Sequence, residues 1–300
     1  MNIALIIPTC NAAGHWQALL EGIRRQSLQP RRIIVIDSGS ADGTAALACA
    51  AGFTVIRIDR SSFRHGATRQ AAAQHAGCSQ ILIYLTQDAI LHGTDSIRAL
   101  ATAFQDPMIG AAYGRQLPRK GASAIESHAR LFNYPAASRV RSWESRSSLG
   151  FKSIFFSNAF GAYRRDALAS IGGFSPRVSF GEDTLAVAQL HRAGWKTAYV
   201  ADALVEHSHP YTLYDEFRRY LEIGTLHRHE HWLIEQFGAT SGEGLRFVVS
   251  ELRYLVRRAP FEIPSALLRT AAKYLAYQAG RHELSLTPWI KYGSAANSAR

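Results

Sequence analysis

The chain has 300 residues, 47% of them hydrophobic and 19% charged, with a net charge of +11. This composition excludes intrinsic disorder and leaves room for one large folded domain, or one domain with an appendage. Three cysteines (Cys10, Cys49, Cys78), far apart and without C-x-x-C spacing, argue against a disulfide framework or a zinc site and fit a reducing compartment. No apolar run approaches the roughly 20 residues of a spanning helix. No basic stretch followed by an apolar run opens the chain as a secretory signal would. The expected location is the cytoplasm, free or peripheral on the cytoplasmic face of the inner membrane.

In chain order, Asn2 to Pro8 reads as a strand, His15 to Arg25 as a helix and Arg32 to Asp37 as a second strand. Thr44 to Ala51 and Gly66 to Ala76 read as helices, and Phe53 to Ile58 and Gln80 to Thr86 as strands. Strands separated by helices of this length predict right-handed β-α-β units and a parallel sheet. Ile81-Leu82-Ile83-Tyr84-Leu85 is apolar without alternation, as a central strand covered on both faces must be.

Ligands of open α/β sheets bind outside the carboxyl ends of the strands, which draws attention to the strand tips. These are Pro8-Thr9-Cys10-Asn11, Asp37-Ser38-Gly39-Ser40-Ala41-Asp42-Gly43-Thr44 and Thr86-Gln87-Asp88. Asp37 is placed to accept the imide N–H of a pyrimidine base, whereas Asp42 and Thr44 are better read as turn and helix-cap residues. Asp88 either meets a ligand, or the metal that carries it, or caps the next turn. Gly66 and Arg69 open a helix whose N-terminus and guanidinium suit an anion; a surface ion pair is the other reading of Arg69. Neither G-x-x-x-x-G-K-S/T nor G-x-G-x-x-G after the first strand occurs, which counts against a P-loop hydrolase.

Residues 115–165 carry ten Lys/Arg against Glu126 and Glu144, a local charge of +8. Such a surface predicts an anionic partner, a phosphorylated substrate, a membrane or nucleic acid, or else serves solubility. Phe132, Tyr134, Trp143 and Phe151 are interspersed, and aromatic faces with arginines suit sugar stacking and a phosphate-bearing acceptor. Single-stranded nucleic acid uses the same ingredients, but no nucleic-acid module is recognisable and no such partner is expected. Residues 117–150 are expected to be mobile until ligands bind. Glu182 and Asp183 precede a helix over Thr184 to Ala193, where capping alone would explain one acid. Leu213 to His231, Leu245 to Ala259 and Pro264 to Ala279 read as amphipathic, arginine-bearing helices. They can pack on the sheet, dimerise or lie on an anionic membrane. The tail, residues 293–300, reads as disordered.

These motifs resemble a known family. Pro8-Thr9, Asp37-Ser38-Gly39-Ser40-x-Asp42-Gly43-Thr44, strand-terminal Asp88, Gly172-Gly173-Phe174 and Gly181-Glu182-Asp183 resemble inverting family 2 glycosyltransferases of the GT-A fold. More narrowly, Phe63-Arg64-His65-Gly66-Ala67-Thr68-Arg69 and Thr86-Gln87-Asp88-Ala89 resemble bacterial rhamnosyltransferases that use dTDP-L-rhamnose. Two departures stand out. The D-x-D of GT-A enzymes is here Thr86-Gln87-Asp88, and Gln70 follows Arg69 where Asn is common.

The resemblance implies an α/β fold of the nucleotide-diphospho-sugar transferase type, a Rossmann-like, mostly parallel sheet flanked by helices. It would span residues 1–210, with a nucleotide-binding half over 1–114 and an acceptor half over 115–210, followed by a helical region over 211–292. Pro8, Thr9, Asp37, Gly66, Arg69, Gln87 and Asp88 would then bind the nucleotide-sugar donor. Mg2+ or Mn2+ would sit on Asp88 and on His209 in preference to His207, loosely held because one carboxylate remains. Apart from the resemblance, the two histidines read as a surface or structural pair. Asp183 would be the general base, with Glu182 and Trp143 positioning a saccharide acceptor, including one carried on a lipid diphosphate. A UDP-hexose donor, a catalytically inactive sugar-binding protein and a homodimer stay open.

Overall fold

The structure, a computed structural model, describes residues 1–208, 210–238 and 241–283. The first half follows the predicted alternation: β1 (Ile3–Thr9), α1 (Ala13–Arg24), β2 (Arg32–Asp37), α2 (Thr44–Ala50), β3 (Thr54–Arg57), α3 (His65–Gln74) and β4 (Ile81–Leu85). β1 pairs in parallel with β2 and with β4, and β3 extends the sheet beyond β2. The tips of these strands therefore share one edge. All five residues of β4 are buried, as a strand covered on both faces requires.

The second half departs from the mostly parallel sheet expected. It comprises β5 (Ile90–Leu91), α4 (Ser96–Thr102), β6 (Ile109–Leu117), α5 (Ala124–Asn133), β7 (Arg139–Arg141) and α6 (Arg146–Leu149). Then come β8 (Phe160–Arg164), α7 (Arg165–Ser170), α8 (Glu182–Arg192) and β9 (Lys196–Glu206). β8 inserts between β4 and β6, antiparallel to both, while β6 and β9 are parallel and β5 and β7 run against β9. The sheet order is β3-β2-β1-β4-β8-β6-β9-β5, with β7 on β9. An antiparallel neighbour sets the start of β8 beside the end of β4. Leu85 faces Phe160, and the Thr86 amide donates to the Ala159 carbonyl at 3.2 Å.

The segment 117–150 carries regular elements. α5 opens with a capping box between Ser123 and Glu126, and β7 adds a strand to β9. The basic residues of 115–165 are also largely committed. Arg115, Arg119, Arg130, Arg141, Arg146, Arg164 and Arg165 each donate to a backbone carbonyl. Most of these cations therefore also tie loops together.

Two apolar clusters cover the two faces of the sheet. One includes Trp16, Leu19, Ile97 and Leu100 from α1 and α4; the other includes Tyr84, Tyr163, Phe174, Leu185 and Leu190. The second cluster continues into α9 (Leu213–His229) and α10 (Trp232–Phe237) through Leu226, Leu233 and Phe237. α11 (Ser241–Arg258) and α12 (Ile263–His282) complete the described chain. α12 lies on α9 at a crossing of two glycines. A Cβ on Gly224 would meet the Tyr277 carbonyl, and one on Gly280 the Leu221 carbonyl. Beside the crossing, the buried Glu216 forms ion pairs with Arg269 and Lys273, each at 3.0 Å. Because backbone has to move before a side chain fits there, Gly280→Val is expected to cost about 1–3 kcal/mol by overpacking, read as a lower midpoint in thermal or denaturant unfolding.

Candidate active site

The site begins with loops held by side chains. Asp37, at the end of β2, is buried; its Oδ1 accepts from Thr9 Oγ1 at 3.1 Å and Ser40 Oγ at 2.5 Å, and its Oδ2 from the Ser40 amide at 3.0 Å. Pro8 lies in β1 beside Ile36. Gln87 hooks the tip of β4 to that of β1, with Oε1 accepting from the Cys10 amide at 2.7 Å and Nε2 donating to the Cys10 carbonyl at 3.1 Å. A carboxylate has no proton for the second of these bonds, so an amide at the middle position of Thr86-Gln87-Asp88 suits this hook, while Thr86 stands where the first acid of D-x-D is expected.

One residue on, Asp88 meets His207 at the end of β9, with Oδ2 to Nε2 at 3.4 Å. Arg119 donates to the Asp88 carbonyl and lies 3.7 Å from its Oδ2, while Arg130 donates to the His207 carbonyl at 2.7 Å. Gln116 gives its amide to Ser157 Oγ and turns its oxygen to His207 Nδ1, both at 2.9 Å. In this arrangement Nδ1 faces an acceptor and Nε2 faces Asp88. Burial keeps the His207 imidazole below its usual pKa in spite of Asp88. One oxygen and one nitrogen donor turned on the same point fit a divalent cation. His209 lies outside the described residues, and among those described no third His, Cys, Asp or Glu completes a metal cluster.

The facing wall is α8. Gly181, at φ +78°, starts the helix, a conformation that favours glycine. Glu182 turns inward and pairs with Arg69 at 2.9 Å, both side chains 6% exposed. The structure thus places Arg69 and Glu182, expected at the donor and the acceptor respectively, against each other. Gly66 serves this packing, since a Cβ there would collide with the Ser175 carbonyl and crowd Glu182. Gln70 accepts from the Phe174 amide at 3.1 Å, which holds the Gly-Gly-Phe turn on α3. Burial and then Arg69 lower His65 to about 4, leaving it neutral.

Asp183 is half-buried at the cleft. Its Oδ2 accepts from the Asn158 amide at 3.2 Å and its Oδ1 from the Thr184 amide at 2.7 Å. Burial, and then the neighbouring Glu182 charge, raise its pKa to about 6, opposed by these amides. Burial would also raise Glu182, but Arg69, His65 and Asn158 outweigh it and hold that carboxyl below its usual range. Two adjacent acids are thereby split into a permanent anion and a carboxylate near neutrality, the pattern that makes a base.

Asn158, which sequence reasoning missed, joins the two walls. Its amide N–H holds Asp183, its Nδ2 donates to Glu182 at 3.0 Å, and its Oδ1 accepts from Tyr163 at 2.9 Å. Through Ser157, Gln116 and His207 the polar chain continues to Asp88, so one network links Asp88 to Asp183. Gln116, Ser157 and Arg119 were missed as well. The polar pair Ser157-Asn158 between Phe155-Phe156 and Ala159-Phe160 was the available signal. Trp143 lies edge-on to Phe237 at 5.5 Å with Arg146 stacked 3.9 Å over its ring.

Replacing Asp183 with Asn is expected to lower turnover by about 10²–10⁴ with ligand binding retained, measured as initial rates and donor affinity. In the parent enzyme the rate rises with pH through an apparent pKa near 6 and levels above it, because the deprotonated form is the base. Glu182→Gln removes the neighbouring charge and moves this rising limb to lower pH. It leaves Arg69 without its carboxylate at a cost of about 3–5 kcal/mol, seen in the pH–rate profile and in unfolding.

The model of glycosyl transferase family 2 matches residues 4–172. The O-antigen chain rhamnosyltransferase RfbN of Salmonella typhimurium (strain LT2) is 45% identical over 95% of this chain and 91% of its own length. The O-antigen chain rhamnosyltransferase WbaN of Salmonella anatum is 41% identical over the same shares. Among solved structures, a mannosyltransferase of Pyrobaculum calidifontis in complex with GDP-Man and Mn2+ superposes with a TM-score of 0.64 at 18% identity, over 97% of this chain and 88% of that one. Glucosyl-3-phosphoglycerate synthase of Mycobacterium tuberculosis, in complex with Mn2+ and UDP, gives 0.54 at 17% identity over 79% and 80%. With a crevice at the strand tips, a carboxylate on each wall and this similarity along nearly its whole length, the chain belongs to glycosyl transferase family 2.

Proposed function

We propose that the chain transfers L-rhamnose from dTDP-L-rhamnose, with inversion, to a hydroxyl of an O-antigen saccharide carried on a lipid diphosphate. The observation that carries the sugar and acceptor class is the identity of 45% and 41% to two O-antigen chain rhamnosyltransferases, each over 95% of the chain. The geometry supports the reaction type. Asp183 takes the proton of the acceptor hydroxyl as it attacks the anomeric carbon, in a single displacement that needs no covalent intermediate. Asn158 and Thr184 orient the Asp183 carboxylate, and Glu182, locked by Arg69, keeps its affinity for that proton high. Asp88 and His207 would hold Mg2+ or Mn2+ beside the donor diphosphate. Such a cation offsets the charge that develops on the leaving group. Asp37, Thr9 and Pro8 frame the nucleotide end, where Asp37 retains lone pairs for a base imide.

The test is a panel of nucleotide sugars scored by thermal stabilisation with and without Mg2+, followed by the anomeric configuration of the product. Stabilisation by dTDP-L-rhamnose above UDP-hexoses, strengthened by Mg2+, with an inverted product, is expected. Preference for a UDP-hexose would overturn the sugar assignment and leave the family standing.

A further inference from the structure

α11 has two apolar faces, and its fold uses one. Toward the body, Phe247 and Tyr254 pack on His128 of α5 with ring centroids 5.0 and 5.4 Å apart; Ser250 Oγ bonds His128 Nε2 at 2.9 Å, and Leu255 is buried. On the opposite side Leu245, Val249, Leu252 and Val256 recur at i, i+4, i+7 and i+11, a single stripe. Leu245 is 67% and Val256 63% exposed. The turn that follows presents Phe261 at 81% exposure, and α12 adds Leu267, Leu268, Tyr274 and Leu275, each at least 49% exposed. A globular chain gains nothing in folding from leaving such side chains in water.

Alongside the stripe runs a row of cations, Arg246, Arg253 and Arg257, with the same i, i+7, i+11 spacing. Among the described residues Arg253 and Arg257 have no carboxylate partner, and Glu243, the acid near this face, is held by Lys152 and Arg246. A second copy of the chain would bring the same arginines to the contact and no free acid to meet them. An anionic bilayer meets both requirements, apolar depth for the stripe and negative headgroups for the row.

We propose that the α11–α12 hairpin is an interfacial docking surface for an anionic lipid membrane, with the α11 stripe and Phe261 inserted and the arginines at headgroup level. The surface is tied to the cleft. Glu262 in the hairpin turn accepts from the Ala124 and Ile125 amides at the start of α5, at 3.4 and 3.2 Å, and Arg130 of α5 donates to the His207 carbonyl. Docking thus fixes the height and tilt of the Asp88–His207 wall above the lipid. This deepens the reading of a lipid-carried acceptor, yet its test involves no sugar and stands apart from it.

The full chain is floated with phosphatidylcholine vesicles containing or lacking phosphatidylglycerol, at low and high salt, and its mass in solution is measured. Binding to the anionic vesicles, weakened by salt, is expected. Arg253→Gln with Arg257→Gln should lower partitioning about fivefold per arginine. Leu245→Ser with Val249→Ser and Val256→Ser should lower it on the order of tenfold or more. Both variants change exposed positions and should keep the parent melting temperature. The proposal is overturned if the parent chain stays with the unbound fraction, if the variants float as well as the parent, or if the serine variant converts a parent dimer to monomer.

Discussion

A buried ion pair between Arg69 and Glu182 is the constraint on which the active crevice depends. It joins α3 to the first turn of α8 in a place where either charge alone would be costly to bury. The pair does three things at once. It joins α8 to α3 at the turn that carries Asp183, it keeps Glu182 anionic, and through that anion it adds to the burial that raises the proton affinity of Asp183. Gly66 is what allows α3 and α8 to approach closely enough, and neutral His65 closes the pocket around the pair without adding a charge.

The other wall reaches the same crevice through sheet topology. Because β8 runs antiparallel to β4, the residues that precede β8 stand next to those that follow β4. Asn158 can then hold Asp183 while Ser157 and Gln116 orient His207 toward Asp88. A parallel neighbour would have put the start of that strand at the far edge of the sheet.

This contrast explains what could be read from the chain and what could not. β1 to β4, their tips, Asp88 and Asp183 announce themselves locally, through apolar runs that stop at acids and small residues. The partners of Arg69 and Glu182 do not, since the two lie 113 positions apart and each alone suits a surface or ligand role. Gln87 reads only as a donor-binding residue, since its two bonds to the backbone of Cys10, 77 positions away, leave no mark on the local sequence. The reading of the +8 segment is incomplete for a related reason: a count of charges cannot reveal that seven of its arginines also bond carbonyl oxygens. The contacts of Trp143 with Phe237 and Arg146 were equally beyond reach, since a residue type does not tell its neighbours.

The glycine crossing of α9 and α12 has a further effect. With backbone against backbone at Gly224 and Gly280 and the Glu216 pairs beside it, α12 is folded and oriented by the rest of the protein. A free amphipathic peptide has to coil as it adsorbs, losing about 1–2 kcal/mol of chain entropy per residue. Here that ordering is complete before any encounter, so a handful of apolar side chains on a rigid plate can suffice where a flexible tail would need many more.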